Sequence, residues 1–240
     1  MGGFYMPLIL ELGDALQGTV VNVIAIIAGA VLGLVLKKGV PEQMKNTVLQ
    51  GMGLVVLYLG LSMAFEGQEM LIAIFSLVLG GILGELAKVE QRLNSFGDKL
   101  KARFGSEEGQ FTEGFVFASL IYCVGALAVV GSLESGLNSN HEILYTKSAI
   151  DGVTAIAFTS SLGLGVAFSA LPVFIYQGFI AVFASGVSDY LSDEVVAEMS
   201  SVGGILIMAI GLNVLEVTQI KIANLLPAIL VAAVIANFVF

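Results

Sequence analysis

Long apolar runs separated by short polar stretches dominate the chain. A membrane-spanning helix needs about 20 apolar residues, and eight segments approach that length. They are residues 19–36, 47–65, 69–87, 112–133, 149–170, 172–189, 199–215 and 221–239. The fifth and sixth segments are separated only near Pro172, because 149–189 is almost continuously apolar. The pattern therefore predicts an all-α polytopic membrane protein with about eight transmembrane helices.

The composition agrees with this pattern and narrows the function classes. Hydrophobic residues make up 57% of the 240 positions and charged residues 12%, whereas soluble domains average about 45–50% and about 25%. The net charge of −9 offers no basic surface for a phosphate backbone, so we expect no nucleic-acid partner. One cysteine and one histidine cannot make the common zinc sites. Since no familiar catalytic or cofactor motif is present, we expect no enzymatic activity, no metal and no cofactor.

Basic residues indicate how the spans cross the bilayer. If the loop after the first span is cytoplasmic, alternation leaves only Lys147 outside, as the positive-inside rule favours. The inside residues are then Lys37, Lys38, Lys45, Lys88, Arg92, Lys99, Lys101, Arg103 and Lys221. This arrangement predicts a single transmembrane domain over 18–240 with both termini outside the cytoplasm. Residues 1–17 precede it as an N-terminal extension, an interfacial helix or a re-entrant segment.

The stretch 86–104 is too charged to be a span. Its apolar residues recur every three or four positions with charges between them, which is typical of an amphipathic helix. We predict a cytoplasmic helix that lies on the membrane interface, or alternatively packs on neighbouring loops. Residues 105–110 would follow it as a flexible hinge.

Two parts of the chain resemble each other at an offset of 151 residues. Segment 40–68 aligns with 191–219, so that Gly53 matches Gly204 and Gly60 matches Gly211. On this register spans 1–3 correspond to spans 6–8, and the offset of five spans means that the copies cross the membrane in opposite senses. Inverted repeats are a frequent ground plan of secondary transporters. The alternative is a chance alignment of two glycine-rich apolar helices.

Polar residues inside the apolar segments are the candidate binding residues, because such groups are costly at membrane depth. Lys147 and Asp151 share one helix face. They form either a gate or clamp for an anionic group at the outer entrance, or an ion pair that anchors a helix end. Asn22 and Gln177 are large amides at roughly corresponding places in the two copies. The full candidate set is Asn22, Cys123, Gly125, Gly131, Lys147, Ser148, Asp151, Gln177 and Asn213.

Glycines suggest two further features. Gly125, Gly131 and Gly136 are placed to interrupt the fourth span, and an unwound backbone at membrane depth would line a cavity. The spacings 29/33 and 80/84 are small-xxx-small motifs, which serve either a homodimer or close helix packing within one chain. His141, among polar loop residues, is expected at the solvated surface.

Several segments together resemble a known family. TVVNVIAIIAGAVLGLVLKKGVPE, GELAKVEQRL, CVGALAVVGSLESGL and LYTKSAIDG are similar to the bacterial inner-membrane family called domain of unknown function 554, over about residues 18–239. The resemblance implies a bacterial cytoplasmic-membrane protein often described as transporter-like, with no substrate to carry over. It adds weight to segments 123–131 and 145–151 as functional positions. Many members begin near Gly18 and have an aspartate where this chain has Asn140.

These observations favour a small-solute secondary transporter or channel. Its site would lie between the inverted repeats near the membrane midplane, and its partners would be the lipid bilayer and an unidentified small molecule or ion. The alternative is a non-transporting scaffold or accessory subunit that docks through the 86–104 helix.

Overall fold

The computed structural model describes residues 13–37, 42–104 and 111–240, and the described residues contain helices and no strand. The three N-terminal α-helices that follow one another are α1 (Gln17–Lys37), α2 (Glu42–Ala64) and α3 (Met70–Ala87). The remaining α-helices are α4 (Val89–Phe104), α5 (Phe111–Cys123), α6 (Ala126–Asn138), α7 (Glu142–Leu162), α8 (Ala170–Val182), α9 (Ala184–Val187), α10 (Asp193–Val214), α11 (Ile222–Leu225) and α12 (Pro227–Val239). Short 3-10 segments lie at Leu164–Ser169 and Ser188–Tyr190.

The all-helical membrane architecture predicted from the sequence is confirmed at this level. Six described helical segments are long and apolar enough to cross a membrane, and the bent pair of α5 and α6 makes a seventh candidate. Helix α7 has 21 residues but carries Glu142, Lys147 and Asp151, and it is not among these candidates. The structure thus supports six to seven candidate spans, where the sequence pattern predicts eight.

Helix α4 matches the predicted amphipathic segment, with a later start. Lys88 has a φ of 53° and ends α3 in the left-handed conformation, so α4 begins at Val89 rather than at 86. It lies against α5, where Thr112 Oγ1 donates to Asp98 Oδ1 at 2.8 Å and the Phe96 and Phe115 rings are 5.9 Å apart. The predicted hinge at 105–110 and residues 1–12 of the N-terminal extension lie outside the described residues.

Two boundaries differ from the sequence prediction. The predicted fifth span, 149–170, is shifted: α7 begins at Glu142 and ends at Leu162, because Gly163 (φ 84°) redirects the chain into a 3-10 segment. Of the three glycines expected to interrupt the fourth span, only Gly125 (φ 130°) does so. Gly131 and Gly136 are helical residues of α6.

Three of the close crossings between the described helices rest on glycine pairs. Gly29 and Gly33 of α1 face the backbone of α7, and the contacts advance together along both helices, so α1 and α7 run parallel. On α3, Gly80 faces Ala228 and Gly84 faces Asn224, so α3 runs antiparallel to α11 and α12. Both small-xxx-small motifs therefore pack within one chain, which is the second of the two alternatives drawn from the sequence.

The third crossing joins α2 and α10 in an antiparallel and reciprocal manner. Gly60 faces Gly204 and Met208, while Gly211 faces Gly53 and Leu57. The 151-residue offset converts Gly53, Leu57 and Gly60 into Gly204, Met208 and Gly211. When every residue is replaced by its counterpart in the other segment, the Gly60–Gly204 contact becomes the Gly211–Gly53 contact, and Gly60–Met208 becomes Gly211–Leu57.

Candidate functional site

Four polar side chains from three helices form one buried cluster: Asn22 on α1, Lys147 and Asp151 on α7, and Gln177 on α8. As whole residues, the four are 0%, 5%, 4% and 0% exposed. Asn22 Nδ2 donates to Asp151 Oδ2 at 3.0 Å and to Gln177 Oε1 at 3.3 Å. Lys147 Nζ donates to the same Asp151 Oδ2. We call these four residues the buried cluster.

Helix α1 brings Asn22 into the cluster through a stripe of small residues. Its buried positions recur every three or four residues, which is the spacing of one helix face. They are Gly18, Thr19, Asn22, Ile26, Gly29, Ala30 and Gly33. The glycines let the α7 backbone come close, because a Cβ at Gly33 would lie 2.5 Å from the Ile156 carbonyl oxygen. Asn22 therefore reaches Asp151 directly.

Helix α7 brings the two charges together. Lys147 and Asp151 are an i,i+4 pair on the face that also buries Leu144, Ser148 and Ala155. The Lys147 ammonium lies 5.9 Å from the centre of the Tyr122 ring on α5, within the range of a cation–π contact. A buried ion pair gains little net stability over apolar packing, because both charges give up their hydration. Its presence needs another explanation than stability.

The break between α5 and α6 lies close to this ion pair. The two helix axes are bent by 61° at residues Val124 and Gly125. Cys123, the last residue of α5, directly follows Tyr122, whose ring centre lies 5.9 Å from the Lys147 ammonium. Gly125 is the residue that permits the break, since its φ of 130° is one that residues with a side chain rarely adopt. The interruption between α5 and α6 therefore lies next to the buried Lys147–Asp151 pair.

Two amide atoms of the buried cluster lack partners. Asn22 Oδ1 accepts no hydrogen bond and Gln177 Nε2 donates none within the described part of the chain. Leaving such an atom unpaired costs about 1–3 kcal/mol. The cluster therefore presents one spare acceptor and one spare donor beside an ion pair.

Other candidate residues from the sequence lie elsewhere or play a local part. Gly131 packs α6 against Ile143 and Leu144. Ser148 Oγ donates to the Leu144 carbonyl within its own helix at 2.6 Å. Asn213 bonds the loop after α10, donating to Ile220 O at 2.8 Å and accepting from Ile220 N at 2.9 Å. The structure does not bring Asn213 to the buried cluster.

Two expectations about exposure are corrected by the structure. Lys147 and Asp151 do not stand at an open outer entrance; they are buried together with the amides expected near the midplane. His141 is also buried rather than solvated at the surface, with its Nδ1 2.9 Å from Ser135 Oγ and its Nε2 3.6 Å from Asp14 Oδ1. In both cases neighbouring helices cover residues that the sequence places near a polar loop.

Tyr122 and Glu198 are two large buried polar residues that sequence reasoning missed. Tyr122 is fully buried beside Lys147, and an aromatic residue in an apolar run gives no signal of such a role. Glu198 is 1% exposed, and its Oε1 accepts from Gln68 N at 2.7 Å and Glu69 N at 2.9 Å at the start of α3. Its charge was the available signal, but it precedes the predicted seventh span by one residue.

The fold and the cluster define a helical membrane protein with an ion pair enclosed among its helices. Comparison with known sequences then shows the family. Residues 17–237 match the family described as "Protein of unknown function (DUF554)", and the chain belongs to it. The resemblance seen in the sequence is thereby confirmed.

Two relatives support this assignment. The "Uncharacterized membrane protein YdfK" of Bacillus subtilis (strain 168) is 32% identical over 222 residues, covering 91% of this chain and 94% of the relative. The "Uncharacterized protein YqgA" of Escherichia coli (strain K12) is 27% identical over 220 residues, covering 90% and 94%. No solved structure matches the chain.

Proposed function

We propose that this protein is a secondary carrier of a small polar solute, with eight spans and an inverted repeat, in the bacterial cytoplasmic membrane. The main observation behind this proposal is the Lys147–Asp151 ion pair, which is buried with Asn22 and Gln177. Charged residues inside a membrane protein are costly and usually serve substrate or ion pathways. Since stability gives little reason to keep this pair, a binding role explains it better.

The directions of the helices support eight alternating spans. Counting the α5–α6 pair and α7 as one span each makes α1 and α7 the first and fifth spans, which must run parallel, as they do. It also makes α2 and α10 the second and seventh, which must run antiparallel, as they do. Omitting α7 as a span would make α2 and α10 parallel. These helix directions favour α7 as a span despite its lower apolar content.

The reciprocal α2–α10 crossing supports the inverted repeat. Two copies related by a two-fold axis in the membrane plane contact each other through equivalent residues, and the exchange of Gly53–Gly211 with Gly204–Gly60 fits that relation. The second α-helix of one copy then packs on its own counterpart. Because both small-xxx-small motifs pack within the chain, the proposal needs no dimer.

Burial of the cluster supports a carrier rather than an open channel. Each of its four residues is at most 5% exposed, so a solute can reach the cluster only after helices move. Two inverted halves provide two nearly equivalent open states for that movement. The break at Gly125 places a deformable point beside the ion pair.

Topology can be tested by labelling single cysteines in a Cys123→Ala background with a membrane-impermeant maleimide. Eight spans with both termini outside predict that Ser139→Cys and Asp189→Cys are labelled from outside intact cells. Ser95→Cys and Gln219→Cys should be labelled only after the membrane is opened. Labelling of Ser95→Cys and Ser139→Cys from the same side would overturn the topology.

Transport can be tested by counterflow in proteoliposomes with panels of organic acids, amino acids, nucleosides and inorganic ions. We expect one class to exchange, and the exchange to be lost in the double variant Lys147→Gln/Asp151→Asn, which is neutral and nearly isosteric. Lys221→Gln is the matched control, because Lys221 pairs with Glu85 at 3.6 Å on the surface, with both side chains more than 60% exposed. Equal exchange in the double variant and the wild type would contradict the proposed site.

A scaffold or accessory subunit is the second candidate, and α4 is the observation that favours it. A surface cavity of about 450 Å³ is lined there by Lys88, Gln91, Arg92, Ser95, Phe96 and Lys99. An amphipathic basic surface of this kind fits an acidic partner or an anionic membrane surface. Replacing Arg92 and Lys99 by glutamate should abolish a partner interaction if α4 docks, and leave counterflow intact if the protein is a carrier.

A further inference from the structure

The charges of the buried cluster limit which kind of solute the cluster can bind. Lys147 and Asp151 cancel each other's charge in the described surroundings of the cluster. An anion added to that site would leave one negative charge uncompensated in a medium where charge is costly. A proton added with the anion would restore the balance. We propose, as an inference that rests on the carrier function above, that the site binds a small monocarboxylate together with one proton, which Asp151 holds.

The proton and charge balance is complete. In the substrate-free state, the Lys147 ammonium is paired with the Asp151 carboxylate. Asp151 takes one proton from water on the open side, which leaves Lys147 positive and without its counter-charge. The substrate carboxylate takes the place of Asp151 as the partner of Lys147, and the total charge stays zero. After release on the other side, Asp151 gives up the proton there, so one anion and one proton cross together.

The groups that face Asp151 fit this exchange. Lys147 is the charged group on its own helix, and Tyr122 and Cys123 are the titratable groups on α5 that lie within electrostatic range. The protonated forms of both α5 groups are neutral. Helices α1 and α8 contribute the uncharged amides of Asn22 and Gln177. Among these described neighbours, Asp151 is therefore the acid whose protonation frees Lys147.

The unpaired amide atoms narrow the substrate further. Gln177 Nε2 is a spare donor for a carboxylate oxygen, on the residue whose Oε1 accepts from Asn22. Asn22 Oδ1 is a spare acceptor, which calls for a donor on the substrate. A hydroxyl group on the carbon next to the carboxylate supplies that donor without a further charge. The matching class is a small 2-hydroxy monocarboxylate, for which glycolate and L-lactate are the probes.

The experiment measures proton and solute movement together. Proteoliposomes containing the wild-type protein and an internal pH-sensitive dye receive radiolabelled glycolate, with protein-free liposomes to subtract passive diffusion of the acid. We expect protein-dependent uptake with one internal proton per glycolate. We also expect about tenfold weaker half-saturation for propionate, which lacks the hydroxyl group and leaves Asn22 Oδ1 unpaired. Uptake without acidification, or equal half-saturation for the two acids, would overturn the inference.

Variants separate the roles of the two charges. Asp151→Asn should abolish the acidification, and any glycolate counterflow that survives in this variant should no longer depend on pH, since an amide neither takes up nor releases a proton. Lys147→Gln should lose both, and the surface control Lys221→Gln should lose neither. In case Asp151→Asn does not fold, the wild-type protein provides the same test: glycolate should raise its melting temperature more at pH 5.5 than at pH 7.5. An equal shift at the two pH values, or a larger one at pH 7.5, would overturn the inference.

Failure of this inference can be told apart from failure of the carrier function. Movement of glycine without a proton would mean that a zwitterion separates the ion pair, and movement of a neutral solute would also refute the carboxylate. Either result would leave the carrier standing. If no member of the four solute panels exchanges, the carrier function itself fails.

Discussion

The α1–α7 crossing and the α2–α10 crossing are packed in the same way but bury different kinds of side chain. In both, glycines bring two helix backbones into close contact. The α2–α10 crossing is then filled by aliphatic side chains such as Leu57 and Met208. The α1–α7 crossing encloses Asn22 and the Lys147–Asp151 ion pair. Glycines therefore allow close helix packing without buried charges. The charges that are buried at the α1–α7 crossing indicate a task other than packing.

The largest expected effect comes from breaking the ion pair on one side. Lys147→Gln leaves the Asp151 carboxylate buried without its counter-charge, which should lower the free energy of unfolding by about 3–5 kcal/mol. The double variant Lys147→Gln/Asp151→Asn should recover most of that loss. Denaturant unfolding in detergent measures both.

The surface pair of Lys221 and Glu85 is the control for this prediction. Lys221→Gln should change the free energy of unfolding by less than about 1 kcal/mol, because water already screens that pair. If Lys147→Gln lowered the free energy of unfolding by equally little, water would have to reach the α1–α7 crossing. The two crossings would then not differ in the way proposed.

The next effect tests the apolar crossing. A Cβ at Gly60 would lie 2.5 Å from Met208 N and 2.7 Å from Gly204 O, so Gly60→Ala forces the α2 and α10 backbones apart. We expect a loss of about 2–3 kcal/mol in the free energy of unfolding. Gly51→Ala on the same helix meets nothing within 4 Å and should be neutral or stabilising by up to about 1 kcal/mol. Equal losses at both positions would show that helix propensity, and not the crossing, decides.

A third prediction separates binding from packing by comparing two asparagines. Asn22→Ala removes a donor to the Asp151 carboxylate, which should cost about 2 kcal/mol and abolish solute counterflow. Asn213→Ala removes loop hydrogen bonds and should cost about 1 kcal/mol while counterflow persists. Measuring melting temperature and counterflow on both variants gives the answer. If only Asn213→Ala lost counterflow, the binding site would have to lie at the C-terminal end of α10 and not at the buried cluster.

The smallest effect concerns the polar contacts at the N-terminal side of the α1–α7 crossing. A hydrogen bond from Ser139, together with the nearby His141, lowers the pKa of Asp14 from its ordinary value of 3.8. A lowered carboxyl pKa stabilises the fold above 3.8, and this contribution is lost as the pH falls through the lowered pKa.

This sign predicts how an Asp14→Asn variant compares with the wild type. The variant should melt slightly lower at neutral pH, and its difference from the wild type should disappear in strong acid. Melting temperatures of both proteins between pH 2 and 7 measure the effect. A difference that grows on acidification would contradict the sign.

Much of the candidate site could be recognised from residue type and spacing. Lys147 and Asp151 are paired by helix periodicity, and Asn22 and Gln177 stand out as large amides in apolar runs. Asn213 has the same signal, yet it bonds a loop, because its place at the end of α10 gives its amide the free backbone groups of that loop. Glu198 escaped attention because the predicted span begins at 199, whereas α10 already begins at Asp193.

The sequence by itself determined the class of protein, the positions of the apolar helices and the family. Hydrophobicity and helix periodicity are local properties, so they can be read within about 20 residues. Tertiary structure decided which polar residues meet. Asn22 reaches Asp151 and Gln177 across more than 120 residues of chain, and only the glycine-lined approach of α1 to α7 allows it. Burial of the ion pair follows from that non-local packing.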